Sequence, residues 1–173
     1  MNEKIHADPR DIISIILKDH VPLKKLIANL KDTHFERSEK EVWLEEFITL
    51  LTGHAKSEEQ SLYIAMKEYD MLKLESYQGD TEHAIAEQLV HEINSTPNDD
   101  EWLAKVKVLA EMVENHIQEE ETEILDMVRQ EIELSARIEI GDEYTKLSQD
   151  YSHLHTNKLR QTNPNTSIYN ESF

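Results

Sequence analysis

Two segments of this chain repeat the pattern H-x-x-x-E-E, and this repeat constrains the fold more than any other feature. His54 and Glu58 belong to the first copy, and His116 and Glu120 belong to the second. Both copies lie in stretches with helical periodicity, and residues four apart on a helix share a face, with Cβ atoms about 5–6 Å apart. Each copy should therefore direct an imidazole and a carboxylate to one point, a pairing that binds iron, manganese or zinc.

The composition favours a single all-helical domain. The 173 residues include only three Gly, four Pro and 6% aromatic residues, a profile that favours helices. We expect the domain to cover residues 8–150, which is enough chain to bury a core, and a polar tail to follow over residues 151–173. The chain contains no cysteine, which excludes disulfides and thiolate metal sites and is compatible with the cytoplasm, the expected location.

The charge of the chain excludes one large class of partners. The formal net charge of −18 would repel the phosphates of nucleic acids, so no nucleic-acid binding is expected. The first ten residues lack the apolar run of a signal peptide, and no run of about 18 apolar residues could span a membrane. The sequence contains no signal for an oligomeric state.

The spacing of apolar residues predicts four long helices. The first is expected to start with Asp8 as its N-cap and Pro9 as its first residue. Pro22 should bend this helix, because proline removes one backbone hydrogen bond. The second helix is expected to open with a capping box formed by Ser38 and Glu41.

The ends of the third and fourth helices are less clearly marked in the sequence. The third is predicted over residues 80–93 after a loose connection, and Asn98 is the expected N-cap of the fourth. The inner face of the fourth helix is predicted to include Met127. The pattern weakens over residues 135–141, and residues 142–149 are predicted to add only one or two short turns before the tail.

A histidine lies near the middle of the apolar face of each predicted helix. These residues are His20, His54, His83 and His116. A lone histidine on such a face is usually a core residue, but Glu58 and Glu120 share these faces, where an ionised carboxylate is costly unless it is paired or bound to metal. The predicted faces offer no Lys or Arg as partners. Four histidines and two carboxylates exceed the needs of one tetrahedral ion and suit two ions bridged by the carboxylates.

Other polar residues have a simpler interpretation. Glu59 and Glu121 fall beside the inner faces and are expected on the solvated surface. Tyr63 either lines the site or is a half-buried core residue. His153 and His155 lie in the polar tail, where we do not expect them to bind metal. No Gly-rich phosphate loop or nucleophile elbow is present.

Four motifs occur in order on the four predicted helices. They are Asp19-His20, His54-x-x-x-Glu58-Glu59, Glu82-His83 and His116-x-x-x-Glu120-Glu121. This set resembles the hemerythrin HHE cation-binding family over residues 8–146. The resemblance implies an up-down four-helix bundle around two non-haem iron ions in Fe2+ or Fe3+ form. It also implies that Glu58 and Glu120 bridge the ions, which would accommodate an oxo or hydroxo bridge as well.

The chain departs from the pattern of the hemerythrins that carry oxygen, which typically have five histidines. Its third helix has His83-x-x-x-Glu87 in place of H-x-x-x-H, and its fourth has Glu120 at i+4 in place of Asp at i+5. His91 is two turns from His83, about 12 Å along the axis, and is too distant to bind the same ion. Either Glu87 or a water molecule is therefore expected to occupy the position of the fifth histidine.

The expected metal ligands are therefore seven residues. They are His20, His54, Glu58, His83, Glu87, His116 and Glu120. With this set we expect a protein that senses, scavenges or stores a small oxidant (O2, peroxide or NO) and does not carry oxygen reversibly. Two alternatives stay open: a di-iron enzyme, such as an oxidase, a peroxidase-like protein or an iron-donating repair protein, and a purely structural or metal-storage bundle. The pocket for the oxidant is predicted to be lined by Ile16, Phe47, Leu51 and Val113.

Overall fold

The computed structural model describes the backbone of residues 8–162 and the side chains of residues 8–151. Within these residues the chain is helical and contains no strand, so the prediction of an all-α fold is confirmed. The helices are α1 (Ile12–Lys31), α2 (Arg37–Gln60), α3 (Leu62–Met66), α4 (Lys73–Asn94), α5 (Asp99–Glu119), α6 (Leu125–Glu131) and α7 (Leu134–Thr162). A π-helical turn, Glu120–Ile124, joins α5 to α6. None of the described helices is long and apolar enough to cross a membrane.

The first helix begins one turn later than the sequence predicted. Asp11 caps α1 by accepting a hydrogen bond from the backbone N–H of Ile13 at 3.1 Å. Asp8 accepts from the N–H of Arg10 in the turn before the helix. The prediction of Asp8 as the cap was wrong, because Asp11 offers the same side chain nearer to the first buried isoleucines. Pro22 lies inside α1, which continues past it.

The other two caps can be compared with the prediction directly. Glu36 precedes α2 and forms a capping box with Glu39, two residues before the predicted start at Ser38. The backbone N–H of Glu36 donates to Glu39 Oε2 at 3.1 Å. Asn98 caps α5 as predicted, because its side chain accepts from the N–H of Glu101 at 2.9 Å.

The helix that carries His83 is longer than predicted and starts at Lys73, not near residue 80. Buried residues recur along it and just before it at every third or fourth position. They are Leu72, Ser76, Gly79, His83 and Ala86. Because four of these are small or polar, the sequence shows little apolar periodicity there. The short helix α3 lies between α2 and α4, after a break in helical geometry at Ser61.

The apolar core has two parts, which we name the first and the second cluster. The first cluster includes Leu23, Phe47, Leu51, Val106 and Val113. The second cluster includes Ile12, Ile16, Leu62, Ile124, Leu125 and Val128. On α1, His20 lies between Ile16 of the second cluster and Leu23 of the first. The order is reversed after α1: Leu51 and Val113 of the first cluster precede His54 and His116, and Leu62 and Ile124 of the second cluster follow them. A polar layer therefore separates the two clusters.

The π-helical turn changes which residues face inwards after it. Ile124, Leu125 and Val128 are buried, whereas Met127 is only half-buried. A π-helical turn contains one more residue than an α-helical turn and therefore rotates the side chains that come after it. Met127 packs against the second cluster from its edge, so the prediction that it lies on the inner face is confirmed in part.

The last helix, α7, packs against α1 and α2 and extends from Leu134 to Thr162. The prediction of short turns over residues 142–149 was wrong, and the expected tail is helical as far as residue 162. The inner face of α7 carries Arg137 and Tyr144, so its periodicity is not marked by aliphatic residues. The side chains of His153 and His155 and all of residues 163–173 lie outside the described residues.

Two contacts fix α7 against the start of α1. Arg137 is buried, and its Nη2 donates to Asp11 Oδ2 at 3.0 Å while its Nη1 donates to the carbonyl oxygen of Ile132 at 2.7 Å. A Cβ atom at Gly141 would lie 2.0 Å from the carbonyl oxygen of Arg10. Only glycine therefore allows α7 to approach the turn before α1 this closely.

Candidate metal centre

Four buried histidines from four helices meet in the polar layer. They are His20 on α1, His54 on α2, His83 on α4 and His116 on α5, and none exposes more than 7% of its surface. The ring centroids of His20 and His54 are 5.0 Å apart, and those of His83 and His116 are also 5.0 Å apart. The histidines therefore form two pairs.

Two fully buried carboxylates lie between these pairs. Glu58 Oε2 is 3.3 Å from His54 Nε2 and 3.6 Å from His83 Nε2. Glu120 Oε2 is 3.3 Å from His20 Nε2 and 3.6 Å from His116 Nε2. Each carboxylate thus approaches one histidine of either pair.

The six side chains define two positions that could hold a metal ion. The first position is formed by His20, His54, Glu58 and Glu120, and the second by Glu58, His83 and His116. Within each group the ligand atoms lie within 4.8 Å of one another. The structure therefore brings together six of the seven predicted ligands, with Glu58 shared between the two positions.

The outer ring nitrogen of each histidine contacts a second polar residue. Nδ1 of His20 is 2.9 Å from Glu121 Oε1, that of His54 is 2.9 Å from the Tyr144 hydroxyl, that of His83 is 3.3 Å from Glu59 Oε1, and that of His116 is 2.6 Å from Glu82 Oε2. An Nδ1–H directed at such an oxygen leaves the Nε2 lone pair facing the centre. This tautomer is the one that a metal ion requires.

Several buried atoms of the layer have no hydrogen-bond partner among the described residues. They are Nε2 of His20 and His54, Nδ1 of His83, both oxygens of Glu58, and Oε2 of Glu120. An unpartnered buried polar group costs about 1–3 kcal/mol. In addition, Nε2 of His83 and of His116 are 3.3 Å apart, so two lone pairs face each other when both outer nitrogens carry the protons. Cations at the two positions would provide partners for the atoms that face the centre, and the residues therefore fit a pair of metal ions.

The lysines near the site lie outside this layer. Lys24 Nζ is 2.7 Å from Glu121 Oε1, and Lys56 Nζ is 3.0 Å from Glu59 Oε2. Among the described side chains, the ion-pair contacts of Glu58 and Glu120 are with histidines alone. The alternative that a buried lysine or arginine neutralises these carboxylates does not agree with the structure.

The two buried carboxylates differ in their affinity for protons. Burial and the charge of Glu120 raise the pKa of Glu58 well above its usual value. Burial acts in the same direction on Glu120, but the charge of His116 and the close contact with His20 outweigh it and lower its pKa to about 2. The raised pKa favours a proton on Glu58 when no metal is bound, and metal binding requires this group as an anion.

The histidines are tuned by their surroundings in different ways. Burial and the charge of His20 lower the pKa of His54 well below its usual value, which keeps His54 in the neutral form that binds metal. Burial also acts to lower the pKa of His116, but the charge of Glu120 and the hydrogen bond to Glu82 raise it overall. Proton release from His116 is therefore expected to accompany occupation of the second position.

A polar chain from α7 and α1 supports His54. The hydroxyl group of Tyr144 accepts from His54 Nδ1 and donates to Asp19 Oδ2 at 2.8 Å. Burial raises the pKa of Tyr144 and also that of Asp19, so the Tyr144 hydroxyl retains its proton. The Tyr144 side chain is fully buried, and it fixes the orientation of the His54 ring.

The structure does not bring Glu87 to the cluster. Its carboxylate is 59% exposed and lies 3.2 Å from Lys56 Nζ. Gly79, one helical turn before His83, faces inwards instead, and the ring of Tyr63 fills the space above it. Of the two interpretations of Tyr63, the structure supports the one in which it lines the site.

Sequence analysis missed the residues that support the ligands. The assignment of Glu59 and Glu121 to the solvated surface was wrong, because both are half-buried and contact ligand histidines. A local signal existed, since each directly follows a ligand carboxylate, and Glu82 directly precedes His83. Tyr144 has no such signal, because it is 90 residues from His54 in the chain.

Two cavities approach the site from opposite sides. A cavity of about 70 Å³ between α2 and α4 reaches His83, and another of about 140 Å³ between α1, α2 and α7 reaches His54. The smaller cavity has a largely apolar wall, formed by Ile48, Leu51, Ala55, Ala86 and Val90. Leu51 thus lines a cavity as predicted, whereas Ile16, Phe47 and Val113 are packed in the apolar clusters.

Comparison with known proteins agrees with this geometry. The family model of the hemerythrin HHE cation binding domain matches residues 11–128, a range that contains all six converging ligands. No curated protein and no solved structure matches the chain. Because the family model covers more than half of the sequence, the chain belongs to the hemerythrin HHE cation-binding domain family.

Proposed function

We propose that this protein holds two non-haem iron ions in an up-down four-helix bundle and that the iron pair reacts with a small oxidant. The ligands would be His20, His54, Glu58 and Glu120 at the first position and Glu58, His83 and His116 at the second. The main support is that Glu58 and Glu120 are completely buried beside four histidines, without a lysine or arginine partner among the described side chains. Membership of the family supports the same assignment.

The chemistry of the ligand set favours iron. Four imidazoles with two carboxylates form a mixed nitrogen and oxygen set that suits iron, and carboxylates on facing helices hold di-iron centres in other helical bundles. Glu87 is left out of the proposed set because its carboxylate is exposed and paired with Lys56.

Bound iron would supply an exchangeable position for a small ligand and electrons from the Fe2+/Fe3+ couple. The protein keeps the Nε2 lone pairs directed inwards through the outer contacts of its histidines, and the apolar clusters on both sides exclude water. The second position has fewer protein ligands than the first and is reached by the smaller cavity. We therefore assign the exchangeable position to the second position, with O2, peroxide or NO as the class of ligand.

We infer reaction with the oxidant in preference to reversible carriage. Four histidines with two buried carboxylates form a harder set than one with a fifth histidine, because one nitrogen ligand fewer is present. Such a set stabilises the ferric state, because hard oxygen ligands and negative charge favour the more highly charged ion. This behaviour fits a sensor or a scavenger.

Anaerobic loading with Fe2+ tests the metal assignment. The wild-type protein should take up about two irons per chain, as a di-iron bundle does. Glu58→Gln should lose most of this uptake because Glu58 serves both positions, whereas Glu87→Gln is a matched control that should load like the wild type. Uptake of a single zinc ion without iron would contradict the proposal.

Visible spectra of the reduced protein test the function. Addition of oxygen should oxidise the iron, and degassing should not restore the starting spectrum. An oxygen band that disappears on degassing would identify a carrier instead. Unchanged spectra with both oxygen and nitric oxide would leave a structural or storage role, and sustained turnover of hydrogen peroxide would identify an enzyme.

A further inference from the structure

Tyr63 is a buried tyrosine whose hydroxyl group points into the polar layer. It exposes only 2% of its surface, and its hydroxyl donates to Glu120 Oε1 at 3.1 Å. Its ring stacks on His83, with centroids 5.5 Å apart and planes at 23°. Tyr63 therefore contacts two of the metal ligands while it belongs to neither position itself.

The helix break at Ser61 allows the Tyr63 side chain to point into the polar layer. Tyr63 follows Glu58 by five residues, so in an unbroken helix it would point about 140° away from Glu58. Ser61 interrupts α2, and Tyr63 belongs to the separate short helix α3. The direction of its side chain is therefore not fixed by the helical geometry of α2, and the side chain points towards α4.

Gly79 on α4 provides the space that the tyrosine ring occupies. A Cβ atom at Gly79 would lie 2.6 Å from both Cζ and the hydroxyl oxygen of Tyr63. Gly79 is four residues before His83, so a side chain at this position would project towards the second position. The Tyr63 hydroxyl thus lies where a second ligand from α4 would otherwise be.

The second position is also where a small ligand would have room. Three residues form it, against four at the first position, and His83 lines part of the largely apolar cavity. The phenol is protonated at neutral pH, because its ordinary pKa is about 10. A ligand bound beside His83 would therefore meet a hydrogen-bond donor in an otherwise apolar and carboxylate-lined space.

We propose that the Tyr63 hydroxyl is the hydrogen-bond donor for the small ligand bound at the second position. The donor makes the site select ligands that carry a strong acceptor atom, such as peroxide or azide, over nitric oxide, which is a weak acceptor. This inference rests on the proposed function, because it requires an iron pair with an exchangeable position. With a ligand bound at the second position, Tyr63 would turn its hydrogen bond from Glu120 Oε1 to that ligand.

Equilibrium titrations of the iron-loaded full chain with azide and with nitric oxide test this selectivity. Tyr63→Phe removes the hydroxyl and keeps the ring that stacks on His83. It should weaken azide binding about tenfold, the effect of one hydrogen bond of about 1.4 kcal/mol, while nitric oxide binding changes less than about twofold. Tyr69→Phe is the matched control, because Tyr69 packs against the same second cluster and contributes no ligand.

A vibrational measurement separates hydrogen bonding from a structural effect. The stretching frequency of bound azide should shift between H2O and D2O in the wild type and in Tyr69→Phe, and it should not shift in Tyr63→Phe. Equal azide affinities for the wild type and Tyr63→Phe would overturn the inference while leaving the proposed function intact. A wild-type protein that binds neither iron nor azide would overturn both.

A second variant covers the case in which Tyr63→Phe fails to load iron. Gly79→Ala retains the hydroxyl and displaces it, because the added Cβ occupies the space of the ring tip. Gly79→Ala should also weaken azide binding more than nitric oxide binding. Unchanged azide affinity in iron-loaded Gly79→Ala would overturn the inference.

Discussion

The protonation state that suits Glu58 in the metal-free protein differs from the one that it needs to bind metal. In the metal-free protein burial and the charge of Glu120 raise its pKa, which favours the protonated form. A cation at either position requires the same group as an anion. Metal binding and proton release at Glu58 are therefore coupled.

Without metal, Glu58→Gln is expected to be more stable than the wild type at neutral pH. Since the pKa of Glu58 is raised above its unfolded value of 4.5, the wild-type stability is fully present below that pH and falls as pH rises towards the folded-state pKa. Glutamine does not titrate, so the gap should grow as pH rises and reach about 1–3 kcal/mol. Urea unfolding of both proteins between about pH 4 and pH 8 measures this gap. Parallel stability curves would contradict the assignment.

Glu82 and Glu87 on α4 offer a matched pair of substitutions. Glu82 Oε2 is 2.6 Å from Nδ1 of His116, whereas Glu87 is exposed and contacts Lys56. Glu82→Gln should lower iron affinity about 10- to 100-fold, because an amide is a weaker acceptor for the ligand histidine. Glu87→Gln should leave it unchanged. Competition with a chelator measures both, and a larger loss in Glu87→Gln would reverse the assignment.

Individual site residues could be predicted from the sequence where they contact residues close to them in the chain, and not where the contact is between distant residues. His54 with Glu58 and His116 with Glu120 are related by helical spacing, which is local, so their pairing could be predicted. The contact of Tyr144 with His54 depends on how α7 packs, and no spacing encodes it. Glu121 was misassigned because the neighbouring helix, not solvent, covers that side of the π-helical turn.

Two irregularities in the helices lie next to the ligand carboxylates. Ser61 breaks the helix one turn after Glu58, and the π-helical turn begins at Glu120. Such departures from α-helical geometry are frequent at functional sites. Tertiary packing produces them against local preference, so the sequence predicted unbroken helices here.

The fold was predictable where apolar spacing was strong. The middle parts of α1, α2 and α5 follow regular stripes of isoleucine, leucine and valine, and they were predicted correctly. The start of α4 and the length of α7 were missed, because their inner faces use glycine, serine, arginine and tyrosine. Hydropathy does not mark such faces, although their helical spacing is intact.

The attachment of α7 to α1 depends on a buried ion pair. Arg137→Ala should cost about 3–5 kcal/mol, because it leaves the carboxylate of Asp11 buried without its partner. Arg129→Ala is the matched control, since Arg129 pairs with Asp126 at the surface and should cost less than about 1 kcal/mol. Urea unfolding compares the two, and equal costs would show that the pair does not hold α7.

At the scale of the whole molecule, the site uses more of the chain than the family match covers. The match ends at residue 128, whereas Tyr144 on α7 contacts His54. Tyr151 on the same helix contacts Gln60, because the amide of Gln60 donates to its hydroxyl at 2.6 Å. The last helix is thus part of the support of the metal centre.

Truncation tests which part of α7 is needed. A chain that ends at Tyr151 should keep the iron content of the full protein, because it retains both contacts and loses only residues 152–173, which include His153 and His155. A chain that ends at Ile140 should bind iron more weakly, because it lacks Tyr144. Loss of iron from the longer chain would show that His153 or His155 contributes a ligand.

The polar layer between the two apolar clusters has a consequence for folding cooperativity. In the metal-free protein several atoms of the layer between the clusters have no hydrogen-bond partner. The layer therefore couples the two clusters only weakly, and each cluster can open without the other. The second cluster borders α3 and α6, which have five and seven residues, and should open first. Amide hydrogen exchange should therefore be faster in α3 and α6 than in α5 without iron, and a single exchange class would contradict this. Bound iron would then couple the first and the second cluster, so that they unfold cooperatively as one unit.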